Sequence, residues 1–308
     1  MHNGKRPHTA GHLAAAFLTL TLVACNTEQA TTVDASKEAA LANVDAMSRE
    51  HARDTTEPSP AAEIAPLRPV VSQSMAYTEH QDELVYGYFS APADMFEPLP
   101  AVIMIHEWWG LNDNIRAMAD RLAGEGYIVF AVDLFNGKVA TSPGEARVLM
   151  TQAIEDPEAA NENIRAAFNF VSSTAGAPRI GVIGWCFGGG WSLNTARLFP
   201  EELDASVIYY GQVTDDQELL RPIGAPILGL FGAEDTGINV ESVRAFEAAL
   251  GRLRKNYEIH IYPGVGHAFA NPTGTNYNAA AAEDAWRRTL EFLDLHLSIG
   301  EKIGRAHV

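Results

Sequence analysis

Cys186 stands in the stretch Gly184-Trp185-Cys186-Phe187-Gly188-Gly189, where the apolar run from Arg179 gives way to a helix-like stretch from Trp191. A turn that tight between strand and helix needs glycine at 184 and 188, where a Cβ would clash, and leaves its middle residue strained and exposed. The following helix would aim unpaired N–H groups and its positive dipole end at the sulfur, which favours thiolate over thiol. The alternative is a buried structural cysteine beside a glycine-rich turn.

A sulfur nucleophile needs a base within hydrogen-bond reach and a carboxylate that fixes the base's tautomer and stabilises its cation. Two later segments offer them. Ala225 to Asp235 (APILGLFGAED) reads as a buried strand ending in an acidic turn, and Tyr257 to His267 (YEIHIYPGVGH) alternates like a strand before a Gly-rich loop. His267 is the expected base and Asp235 the expected orienting acid. Glu234 is the rival acid and His260, in mid-strand, the rival base. The order nucleophile, acid, histidine, each past a strand, is that of an α/β-hydrolase.

The elements that must position these groups alternate along the chain. Strand-like runs lie at Glu83 to Ser90, Ala101 to Glu107, Tyr127 to Leu134, Arg179 to Trp185 and Ala205 to Gly211, followed by the two runs above. Helical patterns lie between them, around Asn114 to Gly124, Ala159 to Ser173, Val240 to Leu253 and Ala280 to Leu297. Such alternation implies an α/β fold, a mostly parallel, doubly wound sheet with helices on both faces and its site at the carboxyl ends of the strands. No internal repeat, metal-spaced His/Cys cluster, P-loop or GxGxxG turn occurs, so no metal and no cofactor are expected.

The catalytic domain is expected over 67–298, and 308 residues at 47% hydrophobic suffice for one such core. Ahead of it, Lys5 and Arg6 precede the apolar run Leu13 to Ala24, too short to span a bilayer, which ends in Leu22-Val23-Ala24-Cys25. This resembles a bacterial lipoprotein signal, with 1–24 removed and Cys25 lipidated; a plain secretory signal cut near Ala24 is the alternative. Asn26, rather than the Asp that retains such proteins at the inner membrane, points to the outer membrane, facing the periplasm. Residues 25–66, rich in Ala, Thr, Glu and Asp, read as a disordered or partly helical acidic tether, with a weak apolar stripe around Ala39 to Met47. Residues 299–308 read as a frayed tail, within which 303–308 resemble a translated sequencing adapter.

The two cysteines then carry information. If lipid consumes Cys25, Cys186 stays a free thiol in an oxidising compartment, which favours function over structure. The net charge of −17 argues against nucleic acid as a partner. A membrane is expected as partner only through the lipid.

HEWWGLN, DLFNGK, GWCFGG, YYG, GAED and GHAFAN, in this order, resemble the dienelactone hydrolase family across roughly Leu67 to Leu297. The resemblance implies a small-molecule ester or lactone hydrolase working through an acyl-thioester. It implies that the backbone N–H groups of Trp108 and Phe187 form the oxyanion hole, and that Glu107 hydrogen-bonds the resting thiol until substrate displaces it. A solvated loop acid is the alternative for Glu107. Trp108, Trp109, Tyr209 and Tyr210 are candidates to wall a substrate cleft or simply to pack. In family members that act on dienelactone, two arginines hold the substrate carboxylate. Lys138, offset by one, and Asn271 stand at those places here, which points away from dienelactone itself. From another class, a non-hydrolytic binding or thiol-redox protein on the same fold is the runner-up; the complete triad and the absence of Cys-x-x-Cys argue against it.

Overall fold

The computed structural model describes residues 41, 44–54, 64–95 and 97–299. The expected signal 1–24, Cys25, much of the expected tether and the adapter-like 303–308 lie outside the described residues.

Eight strands form one sheet: β1 (Val70–His80), β2 (Glu83–Pro92), β3 (Ala101–Ile105), β4 (Ile128–Val132), β5 (Ile180–Trp185), β6 (Ala205–Tyr209), β7 (Ile227–Gly232) and β8 (Tyr257–Tyr262). Their spatial order is β1-β2-β4-β3-β5-β6-β7-β8. The β1–β2 and β2–β4 pairings are antiparallel and the rest parallel. Strands β3 to β7 are buried along their whole length, which is why they read as continuous apolar runs rather than as alternation.

From residue 113 onward the helices are α1 (Asp113–Gly124), α2 (Pro143–Glu155), α3 (Pro157–Asn169), which runs on into a π-helical turn at Phe170–Thr174, α4 (Phe187–Leu198), the single turn α5 (Gln217–Leu220), α6 (Val240–Arg252) and α7 (Ala279–Leu297). Side chains capable of capping set several starts: Asn112 accepts from Ile115 N at 3.1 Å, and Asn239 from Ser242 N at 2.9 Å. Strand β6 shows that both faces are covered. The Ser206 hydroxyl meets Ser192 of α4 at 3.2 Å, and the Tyr209 hydroxyl meets Thr289 of α7 at 2.7 Å. Positions three apart on a strand point to opposite faces, so α4 and α7 pack on opposite sides of the sheet. No helix among the described residues is long and apolar enough to cross a membrane.

The segment 25–66, expected as a disordered or partly helical tether, is helical within residues 44–54, and what the expectation lacked is the burial of that helix. Residues 44–50 are helical and residues 51–53 form a turn. Val44, Met47, His51 and Asp54 are all buried. Their spacing of three, four and three puts them on one helical face, and that face lies against the domain.

Candidate active site

The site gathers at the carboxyl ends of β3, β5, β6, β7 and β8. Cys186 is the residue between β5 and α4, with φ 53° and ψ −116°, a left-handed conformation costly for any residue with a Cβ. Two glycines make that turn feasible. A Cβ on Gly184 would lie 2.0 Å from Gly188 O, and one on Gly188 would lie 2.3 Å from Ile105 O. Phe187 is the first residue of α4, so its N–H has no partner within the helix.

Asp235 and His267 meet as expected. His267 Nδ1 donates to Asp235 Oδ2 at 2.7 Å, and Asp235 Oδ1 accepts from the N–H groups of Gly237 and Ile238 at 2.9 and 2.7 Å. Both side chains are buried. The rivals lie elsewhere: Glu234 is exposed, and His260 is half-buried beside Glu258 and Arg288.

Glu107 is buried and follows His106, whose Nδ1 donates to Glu107 O at 2.6 Å while Nε2 accepts from Leu134 N at 3.1 Å. Donor at one nitrogen and acceptor at the other, His106 is a neutral imidazole, and burial holds its pKa below the usual range. It ties the Glu107–Trp108 loop to the end of β4. The Glu107 carboxyl accepts from the Tyr210 hydroxyl at 3.3 Å.

The sulfur itself touches residues from the N-terminal segment. Met47 Sδ lies 3.7 Å from Cys186 Sγ and His51 Nε2 lies 3.6 Å from it. His51 stacks on Trp108 with ring centroids 4.4 Å apart, and His51 Nδ1 bonds Asp54 Oδ2 at 2.7 Å. Asp54 Oδ1 in turn accepts from the N–H and hydroxyl of Thr275 at 2.8 and 2.9 Å. Meanwhile His267 Nε2 is buried with no hydrogen-bond partner among the described residues. The partner that the family resemblance assigns to the resting thiol, Glu107, is thus bonded to Tyr210, and an imidazole from outside the expected domain stands at the sulfur.

Electrostatics follow from this packing. Burial pushes the Cys186 thiol up, but His267 and then His51 outweigh it, and its pKa falls to about 6. Burial pushes His51 down, but Asp54 and then the sulfur outweigh it, and its pKa rises to about 9. His267 is raised well above its ordinary value against burial, by Cys186 and Asp235. Glu107 is pushed up to about 8, first by burial and then by the neighbouring sulfur. These shifts all favour a thiolate at Cys186, imidazolium at His51 and His267, and an uncharged Glu107.

The remaining candidates divide. Trp108, Trp109 and Tyr210 are fully buried at the site, and both indole N–H groups lack partners among the described residues. Asn271 is buried, its Oδ1 accepting from Thr273 N at 2.9 Å while Nδ2 is unpaired. Asn136 (φ 53°) and Gly137 (φ 82°) are both left-handed and turn the chain so that Lys138 is exposed. It lines a cavity of about 520 Å³ with Glu79, Asn163 and other residues, among which none of Cys186, Asp235 and His267 occurs.

His51, Met47 and Asp54 escaped the reading of the sequence. Their signal was the helical spacing Met47-x3-His51-x2-Asp54 at the end of the weak apolar stripe. As for metals, a ring nitrogen of His51, one of His267 and the Cys186 sulfur lie within 4.8 Å of one another. Donors around a tetrahedral zinc ion stand about 3.5 Å apart, so a thiophilic cation would have to draw this set together.

Comparison with known proteins agrees with the fold. The dienelactone hydrolase family profile matches residues 85–297. Two curated relatives carry the name "Putative carboxymethylenebutenolidase". One, from Saccharolobus solfataricus, is 34% identical over 233 residues, covering 64% of this chain and 89% of its own. The other, from Escherichia coli K12, is 33% identical over 228 residues, covering 69% and 83%. Among solved structures, a dienelactone hydrolase-like promiscuous phosphotriesterase from metagenomic libraries superposes with a TM-score of 0.68 at 21% identity, over 74% of this chain and 99% of its own. At that identity the likeness concerns fold alone.

Proposed function

We propose, for a chain that belongs to the dienelactone hydrolase family, that Cys186 is the nucleophile of an ester or lactone hydrolase acting through an acyl-thioester. That the protein is a dienelactone hydrolase-like hydrolase follows from the family and its relatives. The finer reading rests above all on one observation, the buried His267–Asp235 pair at 2.7 Å beside a cysteine in a strained strand-to-helix turn.

In this reading the Cys186 thiolate attacks the carbonyl carbon of a small carboxylic ester. The carbonyl oxygen becomes an oxyanion, which the N–H groups of Trp108 and Phe187 receive. The tetrahedral adduct collapses, the C–O bond to the alcohol breaks, and His267 gives its proton to the departing oxygen. The neutral imidazole then takes a proton from water, whose oxygen attacks the thioester, and the acid leaves with the thiolate restored. Asp235 holds Nδ1–H throughout, so that Nε2 is the nitrogen that exchanges protons.

The test is a chromogenic ester. Wild type is expected to give a burst and an acyl adduct on Cys186 by mass spectrometry, and Cys186→Ala to lower turnover by about 10⁴-fold or more. Unchanged turnover in Cys186→Ala would sink the nucleophile. We further propose that the protein is held in the bacterial envelope by lipid on Cys25. Expressed with its own leader, it should partition into detergent, and Cys25→Ser should abolish lipid labelling; unlabelled wild type in the soluble periplasm refutes the anchor.

A further inference from the structure

The contact at the centre of the triad is electrostatic, without a closed hydrogen bond. His267 Nε2 has no hydrogen-bond partner among the described residues, although the sulfur it would serve lies close by. The sulfur is instead approached by His51 Nε2 at 3.6 Å. His51 is built into place: Asp54 fixes its Nδ1 at 2.7 Å, Thr275 fixes Asp54 with two hydrogen bonds, and the ring lies on Trp108. It is buried, as is Cys186. Trp108 is also one of the two residues whose N–H would receive the oxyanion. The imidazole thus touches both the sulfur and the indole of a residue that would serve the oxyanion.

We propose that His51, carried with Asp54 on the segment ahead of the family domain, is a further residue of the reacting centre: the resting partner and cap of the Cys186 sulfur, displaced when an acyl substrate binds. It takes the place that family resemblance gives to Glu107. The resting thiol in that scheme is kept neutral by a carboxylate. Here the sulfur is kept as a thiolate by a cation, and protected by being covered. Charge balance favours the exchange. His51 as imidazolium and Asp54 as carboxylate leave the sulfur as a neutral pair, and the thiolate that stays behind remains paired with His267. Glu107, neutral at pH 7, adds no second negative charge beside it. The meaning of this cap rests on Cys186 being the nucleophile, but its test does not.

The test is the rate of iodoacetamide modification of Cys186 in the full chain from pH 5 to 10, read by mass spectrometry on the Cys186 peptide. Each curve gives a midpoint, which reports the charge felt by the sulfur, and an alkaline plateau, which reports access. The titratable groups around the sulfur are His51, His267, Glu107 and Tyr210, with Asp235 and Asp54 behind the two imidazoles, and all except His51 are kept. His51→Ala should raise the midpoint by about one pH unit, since a cation is lost. The same variant should raise the plateau by about an order of magnitude or more, since the cover is lost. His51→Gln, which keeps the bulk without the charge, should raise the midpoint and leave the plateau near that of wild type.

A raised plateau with an unmoved midpoint in both variants means a steric cover without charge pairing, and overturns the proposal. So does a raised midpoint with an unmoved plateau in His51→Ala, which means pairing without covering. No change in either quantity removes His51 from the sulfur altogether. Thermal unfolding of both variants identifies misfolding, and His51→Gln keeps the test decisive if His51→Ala unfolds. Should Cys186→Ala retain ester turnover, the functional reading fails while these curves stand.

Discussion

Two imidazole–carboxylate pairs flank one sulfur, with the same 2.7 Å bond at each Nδ1, yet they are anchored in opposite ways. Asp235 is fixed by N–H groups two and three residues further along its own loop, so the His267–Asp235 pair is complete within the family domain. Asp54 is fixed by Thr275, more than two hundred residues away, so the His51–Asp54 pair exists only while the segment is docked. The difference separates permanent machinery from a detachable partner. Evenly matched first contacts conceal it; the second ring of hydrogen bonds reveals it.

The strongest way to break this comparison is to weaken each carboxylate in turn. Asp235→Asn should lower kcat by about 10³- to 10⁴-fold, because the amide favours the wrong imidazole tautomer. Asp54→Asn should change kcat far less, within about tenfold, because it acts on the resting state rather than on the transition state. Equal losses in steady-state ester assays would show that both pairs serve the chemical step.

A smaller effect is expected from pH. His51 rises from 6.5 to about 9 on folding, so its stabilising contribution is complete below 6.5 and is lost as pH climbs through 9. Cys186 falls from 9.0 to about 6, so its contribution is complete above 9 and is lost as pH drops through 6. The ion pair is populated between those limits. Amide exchange over residues 44–54, corrected for intrinsic rates, should be slowest between about pH 6 and 9 and quicken on both sides. A monotonic profile would remove the pair from the docking of the segment.

The smallest effect falls on Glu107. An ionised carboxylate beside the sulfur would raise the thiol pKa, so removing its charge would acidify the thiol and speed alkylation at neutral pH. With its pKa at about 8, the side chain is already uncharged there, and Glu107→Gln resembles the acid it replaces. Alkylation of Cys186 at pH 7 should therefore change by less than about threefold. A tenfold acceleration would mean that Glu107 is ionised beside the sulfur.

What was legible in the sequence was what a local pattern can encode. The buried parallel strands announce themselves as apolar runs and β8 by its alternation, and Cys186, Asp235 and His267 each follow one of these strands. Strand β1 was missed because it is half-exposed along an antiparallel edge, with few fully apolar positions in VVSQSMAYTEH. Helix α2 was missed because only Ala146 and Met150 are buried, too thin a stripe to give a period. His51 and Asp54 sit in a charged stretch whose burial comes from Trp108 and Thr275, so their local mark is no more than the helical spacing from Met47. Lys138 was read from the family resemblance, beside a place where family members carry an arginine; it follows two left-handed residues and is exposed.

The His51–Trp108 stack makes the molecule its own optical gauge. A protonated imidazole lying 4.4 Å from an indole offers the excited ring an electron acceptor, and its fluorescence is quenched. Trp109, Trp185, Trp191 and Trp286 are also buried, so their emission gives a steady background. Departure of the segment would brighten Trp108 within that background. Stopped-flow mixing with an ester would then time the uncovering of the sulfur directly, without a label, in the same record as the release of chromophore.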